Sequence, residues 1–315
     1  MLDKCIRDQW RVADIDWTVP PAPMARDKEE AVVQYFTDMA GIERLAGALF
    51  DVQRQKTDDP LLAKIFSTFV ADEKRHAEVA EHLARHYDVH GYRTYAESPE
   101  LTAFRPHFLH LVRQTAPEIA NAYILAGELI LDVALLRSID DYVADETSHA
   151  AMHLVNRDES RHIALDFRMT ELYASDAYRA EIARRPAKTA AAWLAGARAL
   201  VTMMWHAKPF LRAVFLTPME KVDPSGARLA EAIKRIQLVL RKPKVRDLPF
   251  SRFMIEAQDA YNRPVVGRLF GPLLLRALGA EPALARRLFT EAELARSQAM
   301  SFDELAEDAL AAKLA

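Results

Sequence analysis

Two five-residue stretches carry the residue types that could do chemistry: Asp72-Glu73-Lys74-Arg75-His76 and Asp158-Glu159-Ser160-Arg161-His162. Each contains Glu-x-x-His, and on a helix residues at i and i+3 share a face. Each also has a lone glutamate upstream at nearly the same distance. Glu43 lies 30 residues before Glu73, and Glu128 lies 31 before Glu159. The set is four carboxylates and two imidazoles in two similar halves. A glutamate from each of two helices plus Glu-x-x-His from each of two others is a ligand set for two iron or two manganese ions within a helix bundle.

One Glu-x-x-His alone says little. Chance supplies about 0.7 such pairs in this composition, and three occur, the third being Glu146-Thr147-Ser148-His149. The discriminator is depth along the helices that must present the residues. The first helix is expected from Asp27, with Asp27 and Glu30 as a capping box, to about Lys56. Glu43 then falls mid-helix on a stripe with Phe36, Ala40, Gly47 and Phe50. A carboxylate there is costly unless a metal or partner compensates it. Asp58-Asp59-Pro60 forms the turn, with Asp59 as cap and Pro60 at the first helical position. The second helix runs to about Tyr87, before Gly91, which brings Glu43 and Glu73 level in an antiparallel hairpin.

The second hairpin repeats this arrangement. A third helix over 117–142 puts Ile124, Glu128, Leu131 and Leu135 on one stripe, and Asp132 either supports the ligands or is solvated. A fourth, from about Thr147 to Ala174, aligns Val155, Glu159, His162, Ile163 and Asp166. Glu146 and His149 fall in the turn and read as a helix-start cluster. Between the hairpins, 92–116 is less regular, with a short helix near 101–114 whose His107 and His110 read as surface or core residues.

The totals narrow the class. With 315 residues, 50% hydrophobic, and a net charge of −3, the chain can bury a large core, and its charge makes no general case for nucleic acid or membrane partners. Nine glycines leave few tight turns, so the expected class is all-α. The single cysteine, Cys5, is expected near a mobile end and excludes an internal disulfide or thiolate cluster. Oxygen and nitrogen donors remain, and they suit iron or manganese. No apolar run of signal or membrane-spanning length is evident, so the expected location is the cytoplasm. Residues 1–26, with Trp10, Trp17 and a proline-rich end, read as an arm that packs through its tryptophans over the helices or a partner subunit, or is disordered.

At these motifs the chain resembles the ferritin-like di-iron carboxylate superfamily, and in particular its oxygen-activating branch. That branch includes acyl-carrier-protein desaturases, multicomponent monooxygenases and p-aminobenzoate N-oxygenases. The resemblance covers about 28–174. It implies a ferritin-like four-helix bundle over 27–175, with a helical extension over 176–315 covering it. It also implies a catalytic metal site of two Fe ions, or Mn or a mixed pair, with O2 as co-substrate. By position, Glu43, Glu73 and His76 would bind mainly one ion, and Glu128, Glu159 and His162 the other, some glutamates bridging. Asp72 and Asp158 would accept hydrogen bonds from the ligand histidines. Two positions depart from relatives. Val155 stands where the N-oxygenases carry an extra histidine, and Ala80 where ribonucleotide reductases place a radical tyrosine.

The expected function is O2-dependent oxidation of an organic substrate by hydroxylation, N-oxygenation or desaturation, with an external electron donor and a homodimeric assembly. The alternative is a non-catalytic iron-binding, ferroxidase or storage protein. Ala40, Gly47, Ala77 and Ala80 near the ligands leave room either for substrate or for tight helix packing. Segment 186–246 carries 12 Lys and Arg against three acids, densest at Lys234, Arg235, Arg241, Lys242, Lys244 and Arg246. It reads either as a solvated face or as a docking site for a substrate on an acidic carrier protein.

Overall fold

The turn at Thr57–Asp59 behaves as its residues dictate. Asp59 accepts hydrogen bonds from the backbone N–H groups of Leu61 (2.8 Å) and Leu62 (3.2 Å), and Pro60 fills the first helical position. In the computed structural model this cap starts the helix Pro60–Tyr87, which packs along Arg26–Lys56 as an antiparallel pair. A third long helix spans Pro117–Val143 and ends at Ala144 in the left-handed conformation, φ 56°. Asp145 then caps the fourth, Glu146–Ala174, by accepting from Thr147 N–H at 2.9 Å. The structure describes residues 1–91, 94–186, 189–277 and 282–314, and among these the chain is all-α, without a strand.

Large apolar side chains fill the space between these helices, among them Phe36, Phe50, Phe66, Phe69, Tyr87 and Phe167, all essentially without solvent contact. Tyr87 also ties two helix ends together. Its hydroxyl donates to Asp145 at 2.7 Å and accepts from Ser148 N–H at 3.1 Å. The third long helix is apolar and long enough to cross a bilayer by length and composition, yet 67% of that window is buried inside the fold. Its middle, Leu129–Leu136, is π-helical, which the periodicity of the sequence does not foretell.

Several expectations are corrected. The capping box at Asp27 does not form: the helix begins at Arg26 with no side-chain cap, and Arg26 pairs with Glu30 at 2.8 Å instead. The connecting helix starts at Pro99 rather than near 101, because Asp38 holds Ser98 by its N–H and hydroxyl, both at 2.6 Å. Residues 92 and 93 of that connection lie outside the described residues. The N-terminal arm is ordered. It forms a helix Leu2–Arg7 and a 3-10 turn Val12–Asp14. Cys5 is buried, not near a mobile end, because that helix packs on Pro60–Tyr87.

Two C-terminal helices pack on the long helices that carry the second Glu-x-x-His motif and its upstream glutamate. Helices Ala227–Leu240 and Phe302–Leu314 pack on the π-helical segment, and the latter also packs on the fourth long helix. Ser301 and Glu304 cap the last helix, each backbone N–H donating to the other's side chain, at 2.6 and 3.2 Å. The basic stretch is largely spent within the C-terminal part. Lys234 pairs with Glu231 and Glu293, Arg235 with Glu231 and Asp308, and Arg241 with Asp259. Lys242 is buried and donates to the carbonyls of Ser297, Gln298 and Met300. Lys244 and Arg246 stay exposed beside Asp176 and Asp247. Lys188, counted in the same stretch, lies outside the described residues.

Gly41 tests how tightly the connecting helix is held. A Cβ there would sit 2.7 Å from Leu101 Cδ2 and from Glu97 Oε1. Leu101 is fully buried and cannot swing away. Helix propensity favours alanine by at most about 1 kcal/mol, whereas overpacking costs about 1–3 kcal/mol. Gly41→Ala should therefore lower the melting temperature by a few degrees. A raised melting temperature would show that this contact gives way freely.

Candidate metal centre

Four helices deliver the six predicted residues to one place. Glu43 comes from Arg26–Lys56, Glu73 and His76 from Pro60–Tyr87, Glu128 from Pro117–Val143, and Glu159 and His162 from Glu146–Ala174. Two sets of donor atoms converge, each within 4.8 Å: Glu43, Glu73, His76 and Glu159, and Glu73, Glu128, Glu159 and His162. Glu73 and Glu159 belong to both sets. All six side chains are buried, the most exposed, Glu128, at 4%. The rival pair stays out. Glu146 is exposed, and His149 faces Asp140 at 3.1 Å in the turn. His107 stacks on His206 at 4.3 Å, and His110 is exposed.

Gly47 lets the first two helices approach. Its Cβ would lie 3.1 Å from Glu73 Cβ, so the small residue here serves close packing rather than a substrate space.

The two imidazoles are oriented in the same way. Nδ1 of His76 lies 2.9 Å from Glu159 Oε1, and Nδ1 of His162 lies 2.8 Å from Glu159 Oε2 and 3.1 Å from Glu73 Oε1. Nε2 points outward, and the pairing crosses between hairpins. His76 Nε2 faces Asp158 at 3.4 Å, and His162 Nε2 faces Asp72 at 3.5 Å. An ionised aspartate only accepts, so each Nε2 carries the proton and Nδ1 is the ring atom turned to the carboxylates. Phe69 packs on the His162 ring at 4.1 Å.

Behind the aspartates sit residues that sequence reasoning missed. Arg161 donates to Asp158 at 2.7 Å and to Asp72 at 3.4 Å. Arg75 donates to Asp72 and, at 3.2 Å, to Asp158. Trp10 Nε1 donates to Asp158 at 2.7 Å, and Gln9 to Asp72 at 3.1 Å. The signal was present, since both motifs read Asp-Glu-x-Arg-His, with arginine at the same place. Burial would raise the Asp158 carboxyl, but the hydrogen bond and charge of His76, Arg161 and Trp10 together hold it well below the usual range.

The inner carboxylates divide. Burial first, then the charges of Glu73 and Glu159, pushes Glu43 far above its ordinary value, and burial likewise raises Glu128. Glu159 goes the other way: burial opposes ionisation, but His162 and His76 outweigh it. Burial also works against charge on His76 and His162, and the Glu159 carboxylate with the carboxylates hydrogen-bonded to each ring lifts both well above the usual imidazole value. Even so, neither oxygen of Glu43 has a hydrogen-bond partner, nor does one oxygen of Glu128, and the short approaches of His76 Nδ1 to Glu159 Oε1 and of His162 Nδ1 to Glu73 Oε1 are ion contacts without hydrogen-bond alignment. Asp166, on the same helix face, is buried with an unpartnered Oδ2, and burial pushes its carboxyl up strongly. Buried polar atoms are nearly always satisfied, and a cluster of hard oxygen and nitrogen donors of this kind fits a cation.

No family model, curated protein or solved structure matches this chain.

Asp132 is not solvated. It is fully buried, and Lys313 from the last helix reaches it at 3.3 Å and also donates to Asn156 carbonyl at 2.8 Å. Burial lifts the Asp132 carboxyl to about 7 against the pull of Lys313. Lys313→Met should cost about 3–5 kcal/mol, because it strands a buried acid. Adding Asp132→Leu should recover most of that loss, read as a denaturation midpoint in a double-mutant cycle. Equal, additive losses would mean the pair is not coupled.

Proposed function

We propose that the chain is a ferritin-like four-helix-bundle oxidoreductase whose pair of iron ions reacts with O2 to oxidise an organic substrate. The observation that carries this reading is the convergence of six buried donors from four helices, with Glu73 and Glu159 common to both sets and both oxygens of Glu43 without a hydrogen-bond partner. Glu43, Glu73, His76 and Glu159 would hold one ion, and Glu73, Glu128, Glu159 and His162 the other. Manganese or a mixed pair suits the same donors. Bound there, the metal pair supplies the electrons and the open positions that O2 chemistry needs.

The chain's own residues do the rest. Asp158 and Asp72 fix the proton on Nε2 of His76 and His162, leaving Nδ1 as donor. Binding a cation requires the raised carboxyls of Glu43 and Glu128 to lose their protons, so affinity rises with pH. Phe50, Phe69 and the two packed C-terminal helices keep water out, and a dry site strengthens every charge interaction within it. Oxidation of the substrate takes electrons from an external donor, and the reading places the protein in the cytoplasm. The helical extension over 176–315 favours an enzyme over storage, since sequestration needs little beyond four helices.

Anaerobic loading with Fe(II), followed by elemental analysis, should give two ions per chain. Glu159→Ala removes a donor common to both sets. It should reduce the content to one ion or fewer and abolish O2 consumption, while Glu146→Ala keeps both ions. Loss of metal in both variants alike would sink the assignment.

A separate expectation concerns support. Asp158→Asn should weaken metal binding about 10–100-fold with the helical circular dichroism retained. Unchanged affinity would mean that the crossed pairing does not orient His76.

A further inference from the structure

Helix Ala190–Phe210 packs on the fold along one narrow stripe. Only Ala199, Met203, Ala207 and Phe210 are buried, against Pro99–Gln114, with Phe210 stacked on Phe104 at 4.2 Å. Its outward face carries large apolar groups: Trp193 is 68% exposed, Leu194 73%, Val201 69% and Trp205 80%. Such a patch on a folded chain marks an interaction surface. Its charge says what kind. Residues 182–219 contain no Asp or Glu. At the chain's average of 45 acids in 315 residues, 38 residues would carry about five. The charges present are cationic, and Arg198, Lys208 and Arg212 are exposed along the same helix and its continuation.

A second helix repeats the pattern. Pro264–Ala277 exposes Val265 (70%), Leu269 (66%), Phe270 (58%) and Leu273 (66%), and residues 260–280 also lack acids. Chance depletion in one place is unremarkable, but two exposed apolar helices that are both acid-free share a requirement.

We propose that helix Ala190–Phe210 binds the surface of an anionic phospholipid bilayer, lying in the interface with Trp193, Leu194, Val201 and Trp205 inserted. Tryptophan prefers the headgroup boundary, where its ring is buried and its N–H remains hydrated. Arginine and lysine beside an apolar face add attraction to anionic headgroups. A second copy of this chain fits less well, because a two-fold contact would set the same cationic, acid-free face against itself. The helix does not cross the membrane; it lies on it.

The test uses the full-length protein and sedimentation with vesicles of phosphatidylcholine alone or with phosphatidylglycerol. Wild type should bind the anionic vesicles, bind the neutral ones at least tenfold more weakly, and release with salt. Trp193 and Trp205 are two of the chain's four tryptophans, so binding should shift emission to the blue. Trp193→Ser/Trp205→Ser should weaken binding at least tenfold and remove the shift, with melting temperature unchanged because both side chains are exposed. Val201→Asp, which adds charge without removing a fluorophore, should weaken binding similarly. No binding to anionic vesicles, or equal binding by the variants, overturns the proposal. A wild-type dimer that the same substitutions dissociate, with vesicles not competing, would assign the face to self-association and overturn it as well.

Discussion

Like charges held together without water are the constraint on which this structure depends. Four glutamates and Asp166 face a space that solvent does not reach, and several of their oxygens have no hydrogen-bond partner. Isolated buried carboxylates either take up protons or meet a cation. Both responses are visible: Glu43 and Glu128 are driven toward the neutral form, while Glu159 is kept ionised between two imidazoles. Tight helix contact at Gly47, the Phe50 and Phe69 rings around His162 and the two packed C-terminal helices all serve to keep that arrangement closed.

A second ring of charge makes the first tolerable. Asp72 and Asp158 are themselves buried, and two arginines, a tryptophan and a glutamine satisfy them. A buried ion pair gains little net stability over apolar packing, but removing one member is expensive. The network is therefore better understood as fixing ring orientation than as a source of stability. It also explains why the N-terminal arm is ordered: Gln9 and Trp10 are part of it, and Arg75 stacks over the Trp10 ring at 5.2 Å. The Lys313–Asp132 pair ties the C-terminal helix to the third long helix.

What was legible in the sequence follows from the range of the interactions involved. Some local signals read correctly and others did not: Asp59-Pro60 starts a helix as cap chemistry requires, whereas the Asp27 and Glu30 box does not form. The six inner residues were legible because Glu-x-x-His and the matched upstream glutamates encode depth on a helix. Long-range contacts were not legible. Cys5 is buried because its helix docks on another, and Asp38 starts a helix 60 residues away through Ser98. Lys313 reads as one more surface lysine until the fold brings it to Asp132. The π-helical turn after Glu128 also escaped, since Leu129–Leu136 is apolar at every position but Asp132 and has no stripe whose phase could shift. Counting basic residues misled most, because a count cannot tell that Arg241 and Lys242 are buried against the C-terminal helices.

The crossed pairing of the histidines bears on modularity. The chain repeats a hairpin with a glutamate and an Asp-Glu-x-Arg-His segment, which suggests two interchangeable half-sites. Yet His76 of one hairpin is oriented by Asp158 of the other, and His162 by Asp72 of the first. The repeated unit is thus not a self-sufficient one. A single hairpin excised or transplanted would carry an imidazole with no acceptor to set its tautomer and an aspartate with no imidazole to orient. Substitutions at the two aspartates act on the opposite halves of the centre from those in which they are encoded, so the halves are obliged to change together.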